Sequence, residues 1–76
     1  MSDRTIGILG LGIFGSSVLT ALAKQDMNII AIDDHAERIN QFEPVLARGV
    51  VGDITDEELL RTAGIDTCDT VVVATG

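Results

Sequence analysis

Gly10, Gly12 and Gly15 form a G-x-G-x-x-G motif between an apolar segment and an amphipathic one. A second apolar segment follows and ends at Asp33, 18 residues after the third glycine. Glycines at this spacing bring backbone N–H groups close to a pyrophosphate, and an acidic residue after the second strand can accept hydrogen bonds from ribose hydroxyls. The pattern predicts a dinucleotide-binding fingerprint.

Each glycine has its own predicted task. Gly10 turns the chain sharply after the first strand, Gly12 lets the backbone approach the phosphates, and Gly15 lets the helix pack closely against the sheet. The N-terminus of that helix attracts anions through its N–H groups and dipole, so the loop needs no basic side chain. The predicted phosphate-binding residues are Gly10, Leu11, Gly12, Ile13, Phe14 and Gly15.

Two aspartates follow the second predicted strand. We expect Asp33 to bind the adenosine ribose and Asp34 to lie beside it. A 2′-phosphate would meet both carboxylates with no Arg at hand, so the sequence favours NAD, ADP or ATP over NADP. The alternative is that both residues cap the second helix, and Asp34 suits that role better.

A second group of candidates follows the third and fourth predicted strands. Asp53 and Ile54 are expected to line the adenine pocket, although an aspartate after a glycine is often a turn residue. Thr75 and Gly76 follow the last strand and are expected near the phosphates or the second half of a dinucleotide. The alternative for this pair is a simple loop.

The sequence does not predict catalytic or metal chemistry. His35 follows Asp33 and Asp34, but consecutive residues at a helix start are expected to point in different directions, so no metal site is predicted. Ser16 and Ser17 have no general base nearby in the sequence. We therefore expect a binding domain that is not an enzyme.

Composition narrows the class of protein further. The 76 residues are 46% hydrophobic with two Phe and no Tyr or Trp, which indicates an aliphatic α/β core. A formal net charge of -7 argues against nucleic acid as a partner. The one cysteine, Cys68, suits a reducing compartment such as the cytoplasm, and no apolar run is long enough to insert into a membrane.

Three units repeat the order apolar run, turn, helical pattern, and a fourth apolar run ends the chain. The predicted strands are Thr5–Leu9, Asn28–Ile32, Gly49–Val51 and Thr70–Ala74. The predicted helices run from Phe14 to about Lys24, from His35 to Glu43, and from a Thr55–Glu58 capping box to Gly64; Asp34 and Glu37 form a capping box for the second.

Right-handed crossovers would place these strands in the parallel order 3-2-1-4, a three-layer Rossmann-like fold with the nucleotide over strands one and four. The consecutive residues Val71, Val72 and Val73 predict a strand buried on both faces, yet this order makes it an edge. We therefore expect further strands or a second chain to cover it. We accordingly expect residues 1–76 to be the N-terminal part of a larger nucleotide-binding domain.

The segments GLGIFG, AIDDHAERIN and VVGDITDEELLRTAGIDTCDTVVVATG together resemble the N-terminal part of an RCK (KTN) domain, found in Trk and Ktr potassium-uptake regulatory proteins. The resemblance implies a cytoplasmic regulatory subunit, peripheral to the membrane. It would form homodimers and an octameric ring on a membrane potassium transporter or channel. Binding of NAD(H), ADP or ATP would then gate ion flow.

The resemblance also carries over to individual residues. It places Asp33 on the ribose and both Asp53 and Thr55 near the adenosine. Many members have Arg at the position of Ile13, where it reaches a terminal phosphate across the dimer, so this chain is expected to favour NAD(H). The alternatives are the cofactor-binding half of an NAD-dependent oxidoreductase and a ring-forming scaffold with an empty site.

Overall fold

The structure, a computed structural model, describes residues 4–74, along which four strands alternate with three α-helices. The strands are β1 (Thr5–Leu9), β2 (Asn28–Asp33), β3 (Arg48–Val51) and β4 (Thr70–Val73). The helices are α1 (Ile13–Leu22), α2 (Ala36–Phe42) and α3 (Glu57–Ala63); 3-10 turns follow α2 and α3 at Glu43–Val45 and Ile65–Thr67. The predicted order of elements is confirmed.

The four strands form one parallel sheet in the order β3-β2-β1-β4, as predicted. Leu9 at the end of β1 lies beside Ile32 of β2 and Val73 of β4. Asp33 at the end of β2 lies beside Val51, the last residue of β3. All four strands therefore end at the same edge of the sheet, and the loops that follow them meet there.

Alternate side chains of the central strands feed two separate apolar clusters. Ile8 of β1 belongs to the cluster that contains Leu19 of α1 and Ile39 of α2. Ile32 of β2 belongs to the other, which contains Ala63 of α3. Because strand side chains alternate between faces, the sheet is packed on both sides by aliphatic residues. The predicted three-layer fold is confirmed.

The helix starts differ from the predicted capping boxes. The N-cap of α3 is Asp56, whose carboxylate accepts the N–H groups of Glu58 and Leu59 at 3.1 and 3.2 Å. Thr55 is not the cap, because its hydroxyl donates to Asp53. The N-cap of α2 is His35, without a side-chain hydrogen bond, so the Asp34–Glu37 box is also wrong.

Strand β4 is not buried on both faces among the described residues. Val71 and Val73 are 39% and 63% exposed. In residues 4–74, β4 is an edge strand that pairs with β1 alone, so the side of β4 away from β1 faces solvent. The run of valines therefore indicated a strand correctly, and its predicted place at the edge of the sheet is confirmed in the described residues. Its cover by further strands or a second chain stays a prediction.

Candidate functional site

An open cleft of about 250 Å³ lies at the edge where the strands end. Its walls are the first residues of the loops that follow all four strands, together with the start of α2. The lining residues are Gly10, Gly12, Asp33, Asp34, Arg38, Gly52, Asp53, Ile54 and Ala74. Parallel α/β sheets bind their ligands in this position.

Backbone hydrogen bonds between neighbouring strands continue for one residue beyond the strand ends, and they fix the direction in which the loops leave the sheet. Three backbone hydrogen bonds of 2.8–3.0 Å do this, from Gly10 N to Ile32 O, from Gly52 N to Asp33 O and from Ala74 N to Leu9 O. Each bond anchors a residue that lines the cleft. The cleft is thus built on the rigid part of the fold.

The glycine loop meets three different local demands. Gly10 has φ +100°, a left-handed conformation that favours glycine, and so makes the predicted turn. A Cβ on Gly15 would overlap the carbonyl oxygen of Gly10, so this glycine allows α1 to pack closely on the loop. Gly12 has φ -71°, and a Cβ there would meet no atom within 4 Å. The space in front of Gly12 is open for a ligand.

The N-terminus of α1 is suited to an anion. Gly12 is its N-cap and supplies no side-chain hydrogen bond, and the first turn carries no acidic residue. The helix has ten residues, so its first N–H groups and its dipole present positive charge at the cleft. A phosphate placed beside Gly12 would accept these free N–H groups.

Asp33 is buried, with 3% of its surface exposed. One carboxylate oxygen, Oδ2, accepts the N–H of Leu11 at 2.6 Å, and Oδ1 accepts the N–H of His35 at 2.8 Å. Burial raises the pKa of Asp33, but these hydrogen bonds and the Arg38 guanidinium lower it, and the net pKa lies below its ordinary value. The carboxylate is therefore ionised near neutral pH.

The neighbouring residues of Asp33 converge rather than diverge. His35 Nδ1 lies 2.6 Å from Asp34 Oδ1 and 3.2 Å from Asp33 Oδ1. The extended backbone at the N-cap, with φ -109° and ψ 113°, places the imidazole beside both carboxylates. The expectation that these three side chains point apart is wrong, because one ligand atom of each lies within 4.8 Å of the others.

Asp53 and Thr55 form a small turn after β3, the strand next to β2. Asp53 Oδ1 accepts both the hydroxyl and the N–H of Thr55, at 2.7 and 2.8 Å. These two hydrogen bonds lower the pKa of the exposed Asp53 carboxyl. Asp53 and Ile54 line the cleft, as expected, whereas Thr55 does not and instead holds the Asp53 side chain in place.

Not every predicted residue of the glycine loop faces the cleft. Leu11 is buried in the core, and Gly15 packs against Gly10. Ile13 and Phe14 are 93% and 63% exposed and are not part of the cleft lining. The predicted residues Thr75 and Gly76 lie outside the described residues, and Ala74 is the part of that loop which lines the cleft.

Arg38 is the main residue that the sequence analysis missed. It lies in the first turn of α2, lines the cleft, and places Nη1 3.5 Å from Asp33 Oδ2. The premise that no Arg is at hand for a 2′-phosphate is therefore wrong. A basic residue five positions after a strand-end aspartate is the available signal, because the first turn of the helix that follows the strand lies beside the strand end.

The two serines at the start of α1 are engaged in local hydrogen bonds. Ser16 Oγ donates to the carbonyl of Leu11 at 2.9 Å, and Ser17 Oγ donates to that of Ile13 at 3.0 Å. Neither side chain lines the cleft at the strand ends. In the described residues, these hydroxyls donate to nearby backbone carbonyl oxygens.

The parallel sheet, the glycine loop at its carboxyl edge and the adjoining acidic residue define a Rossmann-like α/β domain. Within that class, residues 6–76 match the model of the TrkA-N domain, and the chain belongs to this family. The relationship extends over nearly the whole sequence.

Two potassium uptake proteins are similar to this chain in sequence. The chain is 33% identical over 73 residues to Ktr system potassium uptake protein C of Bacillus subtilis (strain 168), and 28% identical over 76 residues to protein A of the same system. These matches cover 96% and 100% of this chain but 33% and 34% of the relatives. The chain thus spans about a third of their length.

Solved structures share the fold. The AMP-bound form of the Shewanella denitrificans Kef CTD superposes with a TM-score of 0.77 and 26% identity, over 95% of this chain and 43% of that one. N5-carboxyaminoimidazole synthetase from Staphylococcus aureus, complexed with ADP, gives 0.75 and 22%, over 93% and 18%. No helix in residues 4–74 has the length and apolar character to cross a membrane.

Proposed function

We propose that this chain is the nucleotide-sensing part of a regulatory subunit of a potassium uptake system, and that it is not itself an enzyme. The observation that carries the proposal is the open space in front of Gly12, at the uncapped N-terminus of α1, in a chain of the TrkA-N family. The Ktr relatives, named for potassium uptake, support the biological setting.

The proposed ligand is an adenine nucleotide, with NAD(H) preferred and ADP or ATP as the other candidates. Its phosphates would lie at Gly12 and the start of α1, and its ribose would face Asp33. Ile54 and the Asp53 turn would flank the adenine. The AMP-bound form of the Kef CTD supports the adenine nucleotide class, because that domain is 26% identical and superposes over 95% of this chain.

The proposed partner is a membrane potassium transporter or channel, which would hold the protein at the cytoplasmic face of the membrane. A homodimer that assembles into an octameric ring would couple several clefts to one pore. A nucleotide can control such an assembly only if it binds two conformations with different affinities. The expected output is a change in potassium flux and no chemical turnover of the nucleotide.

Potassium uptake tests this proposal in cells whose growth depends on the protein and its membrane partner. Gly12→Ala puts a methyl group into the open space and should abolish the nucleotide dependence of uptake. Thr20→Ala on α1, outside the cleft, is the matched control and should behave as the wild type. Uptake by Gly12→Ala that responds to nucleotides like the wild type would contradict the proposal.

A turnover assay separates the oxidoreductase alternative. Hydride transfer consumes NAD(H) in proportion to a second substrate, whereas a sensor binds and releases it unchanged. If the purified full-length protein oxidises or reduces NAD(H) catalytically, the enzyme interpretation replaces the sensor.

A further inference from the structure

In the described residues, the Asp33 side chain holds the glycine loop at the end of β2, next to the backbone hydrogen bond from Gly10 N to Ile32 O. Leu11 is 2% exposed, so its N–H has no access to bulk water and requires an acceptor within the protein. That acceptor is Asp33 Oδ2, at 2.6 Å. The residue expected to bind ribose is therefore also a structural anchor of the loop expected to bind phosphate.

The carboxylate binds N–H donors on both of its oxygens. Oδ2 accepts from Leu11 in the glycine loop, and Oδ1 accepts from His35 at the start of α2. Neutral amides cannot reproduce this arrangement, because an Asn side chain has one acceptor oxygen and an NH₂ group that repels the other N–H. The geometry thus requires a carboxylate here even before any ligand arrives.

We propose that Asp33 is a positioning residue for the phosphate-binding loop, which it holds in the binding conformation through the N–H of Leu11. The inference rests on the proposed function, since it concerns the same cleft. Gly10 and Gly12, the neighbours of Leu11, both line that cleft, so fixing Leu11 fixes the backbone that meets the phosphates. Each oxygen has a second side-chain partner, Arg38 Nη1 at 3.5 Å from Oδ2 and His35 Nδ1 at 3.2 Å from Oδ1. A ribose hydroxyl would therefore bind Asp33 by displacing one of these side chains while the Leu11 N–H stays in place.

The proposal predicts a loss that ribose contact alone cannot explain. Calorimetry would compare ADP with 2′,3′-dideoxy-ADP, which lacks both ribose hydroxyls, in the wild type and in Asp33→Asn. A loop without its anchor is populated less in the binding conformation, so we expect Asp33→Asn to bind dideoxy-ADP about tenfold more weakly. If Asp33 serves the ribose only, dideoxy-ADP binds both proteins equally, which would overturn the proposal.

Asp34→Asn is the matched control, because it removes the same charge from the same cleft. Asp34 accepts no backbone N–H of the glycine loop among the hydrogen bonds of the described residues. Removal of a negative charge should by itself favour an anionic ligand. Weaker binding of dideoxy-ADP by Asp33→Asn, together with equal or tighter binding by Asp34→Asn, identifies the anchor rather than the charge.

A measurement without nucleotide tests the anchor even if the proposed function fails. In the ligand-free wild type, the Leu11 amide proton should resonate downfield and shift as Asp33 is protonated in acid. The same measurement in Asp34→Asn removes the neighbouring carboxylate, so a shift that persists in this variant belongs to Asp33. A Leu11 resonance that ignores the protonation of Asp33 would overturn the proposal, whereas wild-type protein that binds neither nucleotide would contradict only the proposed function.

Discussion

At the scale of residues, Asp33 shows how the fold and the site depend on the same group. Its carboxylate is buried and ionised, and it is compensated by two backbone N–H groups and by Arg38. An unpaired buried charge would be costly, so these partners are required for the charge to remain. A position that was predicted for ligand binding therefore also contributes to stability.

The lowered pKa of Asp33 predicts acid sensitivity. Burial raises this pKa, but the hydrogen bonds from Leu11 and His35 together lower it by more than burial raises it. The pKa in the folded protein therefore lies below that in the unfolded chain. The ionised group then stabilises the fold above a pH of about 3.9, and this contribution is lost as the pH falls through the folded pKa. Urea unfolding between neutral and acidic pH should show Asp33→Asn to be less stable at pH 7.

The same experiment includes its own control. Because Asn does not titrate, Asp33→Asn should lose less unfolding free energy on acidification than the wild type does. Identical acid dependence in the wild type and Asp33→Asn would show that Asp33 gains no stabilisation from its partners.

Arg38 predicts the balance between NAD and NADP. It is the one cation among the described residues that line the cleft, beside Asp33, Asp34 and Asp53. Its guanidinium can bind a 2′-phosphate near the ribose site, so Arg38→Gln should weaken NADP binding about tenfold and NAD binding much less. Competition binding would measure both affinities.

Arg48→Gln is the control for this prediction. Arg48 also donates from Nη1, but to the carbonyl oxygens of Thr62 and Ala63, away from the cleft lining. It should leave the ratio of the two affinities unchanged. An equal loss of NAD and NADP in Arg38→Gln would mean that Arg38 contributes general charge rather than selectivity.

At the scale of elements, the sequence predicted types and order well and helix starts poorly. Strands and helices were predicted from the spacing of apolar residues along the sequence. That spacing reflects which side chains are buried in the fold, so all four strands and three helices were found. Helix caps depend on which of several adjacent polar residues is free. Thr55 is engaged by Asp53, and this leaves Asp56 to cap α3. Such competition is invisible in the order of residues alone.

In the cleft, too, some residues were predicted from the sequence and others were missed. Residues after strand ends were predicted because the topology fixes where a parallel strand ends. Arg38 was missed because its place depends on the path between β2 and α2, which is set by Asp33 and His35. The inward or outward direction of Ile13 likewise depends on how α1 is rotated against the sheet.

A pair of glycine substitutions separates the ligand role from packing. Gly12→Ala meets no neighbouring atom, so it should cost under about 1 kcal/mol as an N-cap change, yet it should weaken nucleotide binding strongly. Gly15→Ala meets the Gly10 carbonyl and should destabilise the fold by about 1–3 kcal/mol. Urea unfolding and calorimetry on both variants provide the two measurements.

The reverse pattern would contradict the assignment of these glycines. If Gly12→Ala unfolds the protein while Gly15→Ala is stable, the close approach of α1 to the loop is not the one described. If Gly12→Ala is stable and binds nucleotides like the wild type, the open space in front of Gly12 is not the phosphate site.

At the scale of the whole molecule, the exposed edge of the sheet is the main feature left without a partner in the described residues. Val71 and Val73 present apolar surface beside the unpaired backbone of β4. Such edges promote association between chains. Three consecutive valines indicated a strand, but sequence pattern cannot tell whether its cover is supplied by the same chain, a second copy or another protein.

Val73→Lys tests whether this edge drives self-association of the 76-residue chain. Val73 is 63% exposed, so the substitution should not disturb the core, and a charge on an edge strand opposes pairing. We expect a lower average mass in sedimentation than for the wild type. Glu57→Gln, an exposed change on α3 that shifts the net charge by the same single unit, controls for net charge, and an equal decrease in mass there would exclude a specific effect of the edge.

The central claim is that the cleft binds an adenine nucleotide, and calorimetric titration of the purified protein with NAD, NADH, NADP, ADP and ATP tests it most directly. The predicted result is saturable one-to-one binding of NAD(H), or of ADP or ATP, with loss of binding in Gly12→Ala. Folded wild-type protein that binds none of the five nucleotides would contradict the account.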